Sequence, residues 1–121
     1  MKNRNEKNED KNMQITSHDF LIYRNANDDV KVEVLLINKD IWLTQNLIAE
    51  LFGVARSTIT DHINNILKSG ELDEKSTVGK TDIANSDKPV KIYNLDMIIA
   101  VGYRVNSKKA TDFRIWATKI L

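Results

Sequence analysis

The chain has 121 residues, room for one compact core and a short tail, which excludes a large multidomain enzyme. With 41% apolar and 29% charged residues it is too hydrophobic to be disordered throughout. It also has no apolar run approaching the roughly 18 residues of a membrane span and no signal peptide, so a cytoplasmic protein is expected. Cysteine is absent and only His18 and His62 offer imidazole, so a four-ligand zinc site of nitrogen and sulfur is excluded, as are disulfides. No metal or other cofactor is expected. The net charge is +1, which attracts nucleic acid or an anionic membrane only weakly at long range. Its distribution is uneven: from Lys91 to Leu121 six basic residues face two acidic ones.

Residues 1–14 are almost entirely Lys, Asn, Glu and Asp and read as a disordered polar tail. The rest, 15–121, reads as one domain. After the apolar stretch Phe20-Leu21-Ile22-Tyr23, the run Val30-Lys31-Val32-Glu33-Val34 alternates with the period of a half-buried strand. Asn38-Lys39-Asp40 supplies a turn and Ile41-Trp42 a returning strand, which predicts a small N-terminal β hairpin. From Thr44, a candidate N-cap, the period becomes helical: Leu47, Ile48, Leu51 and Phe52 share a face and Gly53 ends the helix. A second helix runs from Arg56, with Ile59, Ile63, Ile66 and Leu67 on one side, and stops at Ser69-Gly70. The segments Thr77 to Ile83 and Val90 to Tyr93 flank the turn formers Asn85-Ser86-Asp87-Lys88-Pro89 and read as a hairpin. Asn94 caps a helix through about Tyr103, and a last helix from Ser107 carries the stripe Ala110, Phe113, Ala117 and Ile120. Its apolar, uncapped end predicts that it continues or packs on something in a longer protein. Asp73-Glu74 reads as a solvated loop.

Residues 45–68 fit a DNA-binding helix-turn-helix, in which two helices cross steeply through a turn of three or four residues. Ala49 supplies the small residue of the first helix, Gly53 the turn glycine, and Ile48, Phe52, Val54 and Ile59 the shared core. At 100° per residue, Ser57, Asp61, Asn64 and Lys68 face away from the isoleucines, flanked by Thr60 and Asn65. Short hydroxyl and amide side chains suit base edges. Ser57 and Thr58 lie at the helix N-terminus, where phosphate is attracted, and Arg56 can clamp phosphate or guanine. Asp61 runs against this, since a carboxylate repels phosphate unless it accepts from cytosine or orients an arginine. The following hairpin, about 77–93, stands where a winged helix carries its wing, with Lys80 and Lys88 on it. Arg104, Lys108 and Lys109 near the last helix connection complete the candidate DNA contacts. The expected fold is α+β: a winged helix-turn-helix-like domain with the N-terminal hairpin and two C-terminal helices.

Several longer motifs carry a resemblance: Trp42-Leu43-Thr44-Gln45, Ala49-Glu50-Leu51-Phe52-Gly53, Gly70-Glu71-Leu72, Tyr93-Asn94-Leu95-Asp96, Val101-Gly102-Tyr103-Arg104-Val105-Asn106-Ser107 and Phe113-Arg114-Ile115-Trp116-Ala117-Thr118. On these the sequence from about Asp19 to Leu121 resembles the RhuM family of bacterial virulence-associated proteins. The resemblance implies a DNA-binding-like module akin to phage antirepressor modules, with no catalytic residue to carry over. Members usually extend past the point equivalent to Leu121, which implies an N-terminal module.

Enzyme signatures are missing. Gly79-Lys80-Thr81 ends like a phosphate-binding loop, but Glu74 stands where the first glycine belongs. Asp61 and His62 are neighbours on a helix and diverge by about 100°, so the carboxylate cannot orient the imidazole. No Gly-x-Ser-x-Gly elbow occurs. The expectation is therefore not an enzyme but a regulatory module reading duplex DNA, or alternatively an antirepressor-like module whose Asp61 face meets a basic protein. A single module with few cations should bind DNA modestly and need a homodimer or a further segment for strong binding.

Overall fold

The computed structural model describes residues 19–25, 27, 29–82 and 87–121. The tail expected over residues 1–14, the end of the expected strand at Ile83, and Asn85 and Ser86 of the turn expected in the second hairpin lie outside the described residues. The fold is α+β: a five-stranded antiparallel sheet with helices packed on one face.

Strands β1 (Asp19–Arg24), β2 (Lys31–Ile37) and β3 (Asp40–Thr44) form a meander. The N-terminal unit is therefore three strands and not the two-stranded hairpin expected from sequence. Phe20 to Tyr23 pair along the free edge of β2, from Asp19 opposite Leu36 to Arg24 opposite Lys31, and bring Tyr23 into the core. The β2–β3 turn is only Asn38-Lys39, both with positive φ (53° and 63°). Two left-handed residues match the twist of the flanking strands, and Asn at the first position lowers their cost.

Helices α1 (Gln45–Phe52) and α2 (Arg56–Ser69) follow, joined by Gly53-Val54-Ala55. The Thr44 hydroxyl accepts the Leu47 N–H at 3.2 Å, the cap expected from sequence. Gly53 takes φ +69°, which lets its N–H reach the Glu50 carbonyl (3.3 Å) and the Val54 N–H reach that of Ala49 (3.1 Å). Gly70 at φ +80° ends α2 the same way, through Leu67 and Ile66 carbonyls. These left-handed ends satisfy carbonyls a continuing helix would have used.

A single turn, α3 (Glu74–Thr77), precedes the hairpin strands β4 (Val78–Thr81) and β5 (Val90–Asn94). The second hairpin thus starts at Val78 and not Thr77, and Asp73-Glu74 is not merely loop. The Asp73 carbonyl accepts both the N–H (3.2 Å) and the hydroxyl (2.7 Å) of Thr77, holding it helical. The chain ends in α4 (Leu95–Val105) and α5 (Ser107–Ile120), capped by the Asn94 and Asn106 side chains through Met97 N–H (3.2 Å) and Lys109 N–H (3.1 Å).

The strand order is β1-β2-β3-β5-β4, so β5 lies between β3 and β4 while α1, α2 and α3 occupy the excursion between them. Val32, Val34, Ile41 and Leu43 from the sheet meet Ile48, Leu51, Ile59, Ile66, Met97, Ile98, Val101 and Phe113 from the helices, all essentially inaccessible. Burial of this kind contributes roughly 1.5–3 kcal/mol per large side chain. On the opposite sheet face Leu35, Ile37 and Ile92 pack with Trp42, whose indole N–H donates to the Ile37 carbonyl at 3.3 Å. Tyr23, Phe113 and Trp116 form an aromatic group with centroid separations of 4.9–5.5 Å, tying α5 to β1. Ile120, one turn past buried Ala117, is exposed.

Candidate nucleic-acid interface

The outer side of α2 follows from its inner side. Ile59, Ile63 and Ile66 are buried, which turns Ser57, Asp61, Asn64, Asn65 and Lys68 outward, and all five are exposed. Arg56, the first residue of the helix, is exposed too, while Thr58, Thr60 and His62 are half-buried. The helix opens on Ala55, which provides no side-chain acceptor, and carries no acid in its first turn. Its N-terminal N–H groups and the positive end of its dipole are thus uncompensated by side chains.

Thr60 is engaged within the protein. The Gln45 amide, from the start of α1, donates to the Thr60 hydroxyl and to the Arg56 carbonyl (3.4 Å), and the Thr60 hydroxyl donates to that same carbonyl at 3.1 Å. This clamp fixes the first turn of α2 against α1 and so positions Arg56.

The remaining candidate cations fall into two groups. Arg104 pairs with Glu71 at 2.7 Å and Lys108 with Asp112 at 3.4 Å. Each carries a carboxylate partner of its own, which lowers the charge it offers to an outside anion. Lys109 is half-buried, its Nζ 3.6 Å from where a Gly53 side chain would begin, so it stands over the α1–α2 turn. On the hairpin Lys80 is exposed and lies directly opposite Lys91, while Lys88 is exposed near the start of β5. Among the described residues, Arg56, Lys80 and Lys91 have no carboxylate within ion-pair distance.

A cleft of about 320 Å³ runs between the start of α1, the start of α2 and β5. Arg56 at the start of α2 and Lys88 and Lys91 near the start of β5 line it, together with Asn46 and Tyr93. Burial pushes the Tyr93 hydroxyl above its usual pKa; the Arg56 charge opposes this shift and the Glu74 charge adds to it. Sequence reasoning missed Lys91, Asn46 and Gln45 here. The period-two pattern of Val90 to Tyr93 places Lys91 on the face of Tyr93, but only the tertiary structure brings these residues and Arg56 to one cleft.

Residues 71–121 match the virulence protein RhuM family. The match covers the C-terminal part of the chain. The RhuM match spans α3 to α5 and includes the hairpin with Lys80 and Lys91, whereas α1 and α2 precede it. No curated protein and no solved structure matches the chain. Among the described residues there is no group of three or more His, Asp or Glu placed to hold a metal ion, and no helix long and apolar enough to cross a membrane.

Proposed function

We propose that this chain is a DNA-binding regulatory module that lays α2 in the major groove of duplex DNA, in a winged helix-turn-helix arrangement whose wing is the β4–β5 hairpin. The observation that carries the reading is the exposed face of Ser57, Asp61, Asn64 and Lys68, polar along its length and held outward by three buried isoleucines. The placement of β5 between β3 and β4, with α1 and α2 in the excursion, supports a wing standing beside that helix. Asn64 suits adenine, Arg56 suits guanine or phosphate, and Ser57 and Thr58 sit at the uncompensated helix N-terminus.

The test is a titration of the chain against random duplex DNA at several salt concentrations. Binding that weakens with salt with a slope of only a few is expected, because few cations are available to release counterions. Asp61→Arg should tighten nonspecific binding by removing a repulsive charge from the face. No measurable binding at 50 mM salt, or no response to Asp61→Arg, would refute this use of α2.

Asp61 also favours a second reading, an antirepressor-like module that meets a basic protein surface. A carboxylate between Ser57 and Asn64 on that face is suited to that partner, and Asp61→Arg would then weaken the complex while the DNA titration stays flat.

A further inference from the structure

We infer that the cleft between α2 and β5 is a seat for one phosphodiester of the duplex strand, held by Arg56 from the helix side and Lys91 from the hairpin side. This rests on the proposed DNA reading and adds where the backbone is gripped. The grip comes from the strand β5 and the first residue of α2, not from the basic connection between α4 and α5.

Three observations converge on the cleft. Its charged lining is entirely cationic: Arg56, Lys88 and Lys91, with no carboxylate among the lining residues. Arg56 and Lys91 have no ion-pair partner among the described residues, whereas Arg104 and Lys108 each have one. Lys80 stands directly opposite Lys91 in the β4–β5 register. Like charges facing each other across a strand pair destabilise the free protein, and a bound anion relieves that repulsion.

The position suits a nucleic-acid backbone. A helix lying in the major groove has a phosphate strand passing on either side, and the cleft opens beside the N-terminus of α2, where such a strand runs. The Gln45 amide, though it also lines the cleft, is already committed to Thr60 and the Arg56 carbonyl. It acts as a positioning group: it fixes the first turn from which the guanidinium extends. The guanidinium then offers a planar fork to two phosphate oxygens and the lysine a point charge from β5.

The experiment compares the whole chain with Arg56→Gln, Lys91→Gln and Lys108→Gln, each titrated with a labelled 20-base-pair random duplex between 50 and 200 mM salt. Thermal denaturation of each free protein is run in parallel. Arg56→Gln and Lys91→Gln should each weaken binding and lower the magnitude of the salt slope by about 1, and Lys108→Gln should leave the slope unchanged. Lys91→Gln should also leave the free protein at least as thermostable, since it removes the repulsion with Lys80, and Lys91→Arg should retain binding. Wild-type binding that is unaffected by Arg56→Gln and Lys91→Gln would overturn the cleft and leave α2 as the DNA reader. Loss of binding in both Lys91→Gln and Lys91→Arg, with lowered thermostability, would assign Lys91 to folding and overturn the seat. A wild-type chain that binds no duplex would overturn the DNA reading and the cleft together.

Discussion

Replacing Gly102 by alanine should destabilise the protein even though it strengthens helix α4 locally. Alanine is favoured over glycine in a helix interior by about 1 kcal/mol. Against this, a Cβ at position 102 would lie 2.5 Å from Phe52 Cζ, 2.8 Å from Phe52 Cε1 and 2.8 Å from Ala110 Cβ. Ordinary carbon contacts sit at about 3.5–4.0 Å. Phe52 is 3% exposed and Ala110 is fully buried, so neither has solvent to move into. Ala110 has no rotamer to change. Relief requires α4 to back away from both α1 and α5, which loosens the packing of the C-terminal helices on the α1–α2 pair. Overpacking by one methyl typically costs about 1–3 kcal/mol, and three simultaneous contacts place this case at or beyond the upper end. The net loss should be about 2 kcal/mol. Urea denaturation should show a midpoint lower by about 1 M at unchanged slope. Gly70→Ala serves as a contrast, since nothing lies within 4 Å of its Cβ but φ is +80°; the cost there is backbone strain of about 1 kcal/mol. A Gly102→Ala midpoint equal to or above the wild type would refute the reasoning.

Other positions give sharp expectations. Phe113→Ala removes a fully buried ring that contacts both Tyr23 and Trp116 and should cost about 3–5 kcal/mol in urea denaturation, with altered Trp116 emission. Asn94→Ala removes the α4 cap and the donor to the Asp40 carboxylate (3.3 Å) and the Ser76 carbonyl (3.2 Å), and about 2 kcal/mol should be lost; a midpoint within error of the wild type would be contrary. The three tyrosines should separate in an ultraviolet titration. Hydrogen bonding to Thr111 and Arg114 lowers the pKa of Tyr103, while burial raises those of Tyr23 and Tyr93. Tyr103 should ionise first, and Tyr103→Phe should delete that phase alone. For Tyr23 and Tyr93 the folded pKa exceeds the unfolded value, so their contribution to stability is complete below about pH 10 and is lost as pH rises through the folded values. Thermal denaturation above that pH should therefore show falling stability.

Local order was largely legible in the sequence. Thr44 and Asn94 announce their helices, Gly53 and Gly70 end theirs, and the isoleucine spacing in α2 fixes which residues face outward. These features depend on a few neighbouring residues, on a period of 100° or 180° per residue and on one side chain reaching one backbone group. The strand Phe20 to Tyr23 was less visible, because its pattern is apolar without alternation and its pairing needs β2 alongside. Thr77 reads as a strand residue by type, yet the Asp73 carbonyl four residues back holds it helical.

What the chain determined alone was therefore the set of elements, their caps and the polar side of α2. The tertiary structure decided which distant groups meet: Tyr23 with Phe113 and Trp116, Arg104 with Glu71, and Arg56 with Lys91 in one cleft. Those meetings depend on β5 inserting between β3 and β4, a choice made by the whole core in burying its apolar surface. Lys108 and Asp112 pair within one helix at a spacing of four, but Arg104 finds Glu71 33 residues away, and among the described residues Arg56 and Lys91 have no ion-pair partner; no local pattern encodes that difference.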